Sequence, residues 1–136
     1  MPSVNILAVL VSAVAIFALG GLWYSRILFA ERWMALQGKT REEITAGGGA
    51  SPGMYVQVFI CGLLVAAALA VILNHFVNLT LARGIGVAVL CWLGFAAATS
   101  YGSALFSSKP RALWVIDTGY NLVAFVLAAV ILTLWR

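Results

Sequence analysis

The chain has 136 residues, 64% of them hydrophobic and 9% charged, with a mean hydropathy of +1.07. Soluble domains carry about 45–50% apolar and about 25% charged residues, so a water-soluble body with a large aqueous active site is excluded. The net charge of +4 falls in loops rather than in a basic stripe, and no reading module is present, which excludes nucleic acid as a partner and leaves membrane lipids.

A bilayer core is about 30 Å thick, and a helical span needs about 20 apolar residues. The chain has room for four such spans and little else. The expected fold is all-α: one integral membrane domain, residues 1–136, built as a bundle of four transmembrane helices with a short interfacial helix in the first loop.

Span 1 covers residues 4–29. No basic residue precedes it, and its apolar run exceeds the core of a signal peptide, so it is read as a retained span. It ends in Gly20-Gly21-Leu22-Trp23-Tyr24-Ser25-Arg26, with aromatic anchors and an arginine that can snorkel to the headgroups.

The loop at 30–52 contains Phe29, Trp33 and Leu36 at i, i+4 and i+7, the stripe of a short helix lying in the interface. Thr40-Arg41-Glu42-Glu43 fits a capping box, and Gly47-Gly48-Gly49 stops that turn. Gly38-Lys39-Thr40 is not a nucleotide-binding loop, because Trp33 stands where that motif needs a glycine.

Span 2 covers 53–77, with Ser51 as N-cap and Pro52 at the first helical position. Gly62, Ala66 and Ala70 form a small-residue row that lets helices approach closely in lipid. Span 3 covers 82–106 and repeats such a row at Gly94, Ala98 and Gly102. Both rows are expected at helix–helix contacts, within the chain or between copies. Span 4 covers 112–135, with Ser108 as its cap and Pro110 in its first turn.

Six basic residues, Arg26, Arg32, Lys39, Arg41, Lys109 and Arg111, belong to the first and third loops. Two, Arg83 and Arg136, belong to the second loop and the C-terminal end. The positive-inside rule then places loops 1 and 3 in the cytoplasm and both termini outside, as in a bacterial inner membrane.

Asp117 is the only acidic residue in any of the long apolar runs. Asp117, Tyr120, Asn121, Ala124 and Ala128 share one helical face, which is expected to point into the protein. At about 1.5 Å rise per residue, Asp117 lies roughly 8 Å inside the start of span 4. Tyr24 and Arg26 on span 1, and Thr99, Ser100 and Tyr101 on span 3, reach a similar level. Two readings stay open. Asp117 pairs with Arg26, Lys109 or Arg111 for structural reasons, or it is a cation ligand or proton carrier at the mouth of a pathway, since intramembrane ionisable residues are functional candidates.

His75, beside Asn74 and Asn78, reads as an interfacial polar residue. Cys61 and Cys91 stand alone in apolar runs and behave as small hydrophobes. No acid pair, Ser/His/Asp set, metal-ligand spacing or cofactor pattern is present, so neither an enzyme nor a bound cofactor is expected.

Gly20-Gly21-Leu22-Trp23-Tyr24-Ser25, Leu28-Phe29 and Trp33-Met34, with residues 94–100 and Ile116-Asp117-Thr118-Gly119-Tyr120, resemble an uncharacterised bacterial group of small four-span proteins, the domain of unknown function 1761 family. The resemblance runs in order through nearly the whole chain. It implies a four-span architecture and no particular activity. The family pattern has proline after Trp-Tyr-Ser, where this chain has Arg26. Three function classes follow: a homo-oligomeric transporter or channel-like protein using the Asp117 level, an accessory subunit of a larger membrane complex, and, ranked last, an enzyme acting on an apolar substrate.

Overall fold

Asn5 opens the first helix, its side chain accepting from the Ala8 N–H at 3.2 Å. Helix α1 (Ile6–Trp23) is followed by short α2 (Ala30–Leu36). Helix α3 (Pro52–Leu73) starts as its sequence directs: Ser51 Oγ accepts from Met54 N–H at 3.3 Å, and Pro52 occupies the first turn. Helix α4 (Leu81–Phe106) is capped by Thr80, which accepts from Arg83 N–H at 3.2 Å. Helix α5 (Arg111–Leu134) closes the chain. This computed structural model describes residues 3–40, 42, 43 and 51–136. Arg41 and the Gly47-Gly48-Gly49 stop lie outside the described residues; within them, Thr40 Oγ1 accepts from Glu43 N–H at 3.1 Å.

Among the described residues the structure is all-helical, and four helices, α1, α3, α4 and α5, are long and apolar enough to cross a membrane. Their outer faces carry exposed Ile6, Leu64, Leu90 and Phe95, the surface a hydrocarbon solvent accepts. Helix α5 is the hub and packs against α1, α3 and α4. Helices α1 and α3 also pack on each other. At Gly62 a Cβ would stand 3.3 Å from Ile16 Cγ2, so only the bare glycine permits this approach. Ala66 and Ala70 continue that row into the core.

Span 1 ends at Trp23, not at residue 29. Tyr24 N–H still bonds Gly20 O at 3.1 Å, but Ser25 Oγ turns back to Leu22 O at 2.6 Å. Phe29 N–H then reaches Trp23 O at 3.1 Å, and the Trp23 and Phe29 rings lie 4.9 Å apart. This tight turn carries α2 back over the end of α5.

Helix α4 contains a six-residue π-helical segment, Trp92–Ala97. At about 3.6 residues per turn, nine residues of regular helix would put Ala97 half a turn away from Ala88. The wider π turn rotates the later half, so Gly84, Ala88, Ala97 and Ala104 are all buried. The row Gly94, Ala98, Gly102, which assumes regular spacing, makes no contact within the chain. Gly94 and Ala98 are exposed, Gly102 is half-buried, and a Cβ at either glycine would meet nothing within 4 Å.

Ser108 does not cap α5. Pro110 holds the cap position without a side-chain bond, while Ser108 adopts φ +55°. That left-handed residue ends α4, with Lys109 N–H donating to Ala104 O at 3.1 Å. The opposite end of the bundle is stitched by polar contacts. Asn74 Nδ2 donates to Ser3 O at 2.7 Å, and the Arg136 guanidinium donates to Phe76 O at 3.1 Å.

Candidate functional site

Asp117 lies in the second turn of α5. Three indole N–H groups, from three different helices, converge on it and its two chain neighbours. Trp23 Nε1 at the end of α1 donates to Ile116 O at 3.0 Å. Trp33 Nε1 on α2 donates to Asp117 Oδ1 at 3.2 Å. Trp92 Nε1, at the start of the π segment of α4, donates to Thr118 O at 2.8 Å. A buried indole needs an acceptor, and here each one finds it on residues 116–118.

Tyr24 supplies the fourth donor. Its hydroxyl reaches Asp117 Oδ1 at 2.7 Å, a hydrogen bond shorter and stronger than a neutral pair if the carboxyl is charged. The Tyr24 ring packs edge-on against Trp33 and Tyr120, each with centroids 5.6 Å away. Tyr120 is fixed in turn by its own bond to Ile16 O at 3.0 Å. The turn after Trp23 is therefore what allows Tyr24 and Trp33 to reach one carboxylate oxygen together.

Arg26, Lys109 and Arg111 do not pair with Asp117. All three are exposed, and among the described residues no basic nitrogen lies within 4.0 Å of a carboxylate oxygen. Both bonds to Asp117 come from neutral donors and fall on Oδ1. Among the described residues Asp117 thus has no paired cation, and Lys109 shares the walls of both cavities with it without pairing.

Two cavities share Asp117. One, about 410 Å³, opens between α2 and the turn before α5, with Trp33, Gln37, Ser108 and Lys109 in its wall. The other, about 140 Å³, reaches inward past Ser103, Thr118 and Asn121. Thr118 is 5% exposed, and its Oγ1 is buried without a hydrogen-bond partner. A buried hydroxyl left in this state is expected to meet a water or an ion. Beyond this level α5 presents Ala124, Ala128 and Leu132 to the core, all buried and apolar.

The remaining residues expected at this level divide into two groups. Tyr120 and Asn121 share the inward face with Asp117, both half-buried. Ser100 joins from α4: its Oγ accepts from Trp114 Nε1 at 2.9 Å and donates to Ala96 O at 2.6 Å. Tyr101 stacks edge-on against Trp114, with centroids 4.8 Å apart. Thr99 is exposed, its hydroxyl bonded to the Phe95 carbonyl of its own helix. Arg26 also faces outward.

Trp33, Trp92 and Thr118 are site residues that pattern reading passes over. Trp33 looks like part of an amphipathic stripe, and Trp92 like one more aromatic in a span. The missing signal was chemical: each half-buried indole N–H needs an acceptor, and both find it on α5. His75 is exposed, and its Nδ1 lies 2.7 Å from Val71 O on the same helix. Cys61 and Cys91 are free thiols. Among the described residues no three His, Cys, Asp or Glu side chains gather as metal ligands.

A family model described as "Protein of unknown function (DUF1761)" matches residues 7–133. No curated protein and no solved structure matches the chain.

Proposed function

The chain belongs to the family described as protein of unknown function (DUF1761), whose description names no activity, and from the site itself we propose that it binds a proton or a small monovalent cation at Asp117 and acts as a transporter or channel-like protein. The observation that carries this reading is the pairing of an acid held only by neutral donors with an unpartnered buried Thr118 hydroxyl in the same cavity. A carboxylate, a hydroxyl and the Asn121 amide are hard oxygen donors, the chemistry that suits such a cation. The cavity shared with Gln37 and Lys109 supplies entry from the end bearing α2.

Passage across the membrane then calls for more than one copy, because α5 beyond Asn121 turns Ala124, Ala128 and Leu132 to the core. The outward row of Gly94, Ala98 and Gly102 on α4 is suited to close contact with a second copy. The same bare row supports the alternative, an accessory subunit seated in a larger membrane complex. The excess of basic residues in the first and third loops supports an orientation with the α2 end at the cytoplasmic face of a bacterial inner membrane and both termini outside. Asp117→Asn in proteoliposomes is the test: proton or sodium flux should fall while the fold persists. Flux equal to wild type defeats this function.

A further inference from the structure

A separate cavity of about 380 Å³ lies on the other side of Tyr24, between the end of α1 and the start of α3. Phe17, Gly20, Gly21 and Tyr24 come from one face of α1, at i, i+3, i+4 and i+7. Tyr55 comes from the first turn of α3 and Tyr120 from α5. Four aromatic rings therefore wall one space. Phe17 and Tyr55 form an edge-to-face pair with centroids 6.1 Å apart, and Tyr24 and Tyr120 form another at 5.6 Å.

The hydrogen-bonding state of the phenols decides what such a space recognises. Tyr24 O–H is committed to Asp117 and Tyr120 O–H to Ile16 O. These two phenol oxygens offer lone pairs and no proton, while the Tyr55 hydroxyl, the third in the lining, is free to accept or to donate. No lining side chain carries a positive charge, and the Asp117 carboxyl stands one hydrogen bond behind Tyr24. The walls are thus four aromatic rings, three of them phenols, with no cation among them. The two glycines differ: a Cβ at Gly20 would come 3.0 Å from Tyr120 Oη, whereas one at Gly21 would meet nothing within 4 Å. Gly21 keeps the space open without being needed for packing.

We propose that this aromatic cavity is a binding site for a quaternary ammonium group. Such a cation has no N–H to satisfy and a diffuse charge, so it is recognised by aromatic faces rather than by hydrogen-bond acceptors in a ring. A primary ammonium or a metal ion would want more acceptors than three phenol oxygens, two of them already committed as donors elsewhere. An acyl chain would fit the volume but would gain nothing from the lone pairs or the carboxyl behind them. The group can belong to a choline lipid headgroup or to a free amine; both present the same trimethylammonium chemistry. This site is distinct from the Asp117 cavities and does not require the transport reading.

The test uses the full chain in nanodiscs of phosphatidylethanolamine and phosphatidylglycerol, free of choline lipid. Saturation-transfer NMR follows the methyl signal of choline and, in parallel, of its uncharged isostere 3,3-dimethylbutan-1-ol. Choline should bind saturably and the isostere about tenfold more weakly, the difference being the cation–π attraction. Tyr55→Leu should weaken choline about fivefold or more, whereas Tyr55→Phe, which keeps the ring, should stay within about twofold. Gly21→Leu should block the site without disturbing its neighbours. Repeating the titration in phosphatidylcholine nanodiscs identifies the source: lost choline binding marks the lipid headgroup as occupant, and unchanged binding marks a free amine, each in support of the site. Equal binding of choline and isostere, or choline binding untouched by both Tyr55→Leu and Gly21→Leu, overturns the proposal. Ion flux of Asp117→Asn is read separately, so the two readings can fail independently.

Discussion

Tyr24 and Asp117, 93 positions apart in the chain, meet at 2.7 Å through a single hydroxyl. That bond joins the end of α1 to the second turn of α5 and places the acid beneath the α2 helix. It also joins the two regions, since Tyr24 lines the aromatic cavity and Asp117 lines the other two. Removing the hydroxyl alone, with Tyr24→Phe, should lower stability by about 1–2 kcal/mol, since a hydrogen bond to a carboxylate exceeds a neutral one. Thermal unfolding in mild detergent reads this directly. An unchanged midpoint would mean that the bond is replaced by solvent at no cost.

Trp33 tests how α2 is held. Its indole is the one side-chain hydrogen bond from α2 to α5 among the described residues. Trp33→Phe should loosen α2 and speed amide exchange across Ala30–Leu36, while α5 exchange stays slow. Asp117→Ala combined with Trp33→Phe should then cost less than the sum of the single changes, because each removes the same bond. Additive losses would show that the two side chains act separately.

Much of the architecture is legible in the residues themselves. Four apolar runs of span length dictate four helices, and Ser51-Pro52 announces the start of α3. Asp117 is conspicuous because no other acid enters such a run. Its surroundings are less legible. The end of α1 depends on Ser25 turning back on Leu22, which hydropathy does not register. The partners of Asp117 looked basic, since charge invites an opposite charge, yet the available cations all reach water instead. The inward face of α4 depends on a π segment, so the regularly spaced row Gly94, Ala98 and Gly102 faces outward from the single chain.

Gly84 lies on the inward face of α4, where the helix packs closely on α5. A Cβ there would collide with Thr133 Oγ1, itself buried without a partner. Gly84→Val should destabilise the chain by about 1–3 kcal/mol through overpacking. Thr133→Ala in the same chain should restore part of the loss. A wild-type unfolding midpoint for Gly84→Val would place the α4–α5 contact elsewhere.

Ala98→Ile separates fold from assembly. Ala98 is exposed, so the variant should unfold within about 0.5 kcal/mol of wild type. If copies meet through Gly94, Ala98 and Gly102, native mass spectrometry from mild detergent should show the oligomer reduced to monomer. An unchanged oligomer would remove this face from the interface.

Asp117 is the only aspartate in the chain, so carbon-13 aspartate labels this one side chain. The carboxyl-carbon NMR signal, recorded in nanodiscs, measures most directly whether the acid lacks a cation of its own. It should shift saturably when sodium or protons are added, move with Tyr24→Phe, and remain in place in Arg26→Gln, Lys109→Gln and Arg111→Gln. A signal indifferent to added cations, or displaced by neutralising one of those three basic residues, would contradict the account.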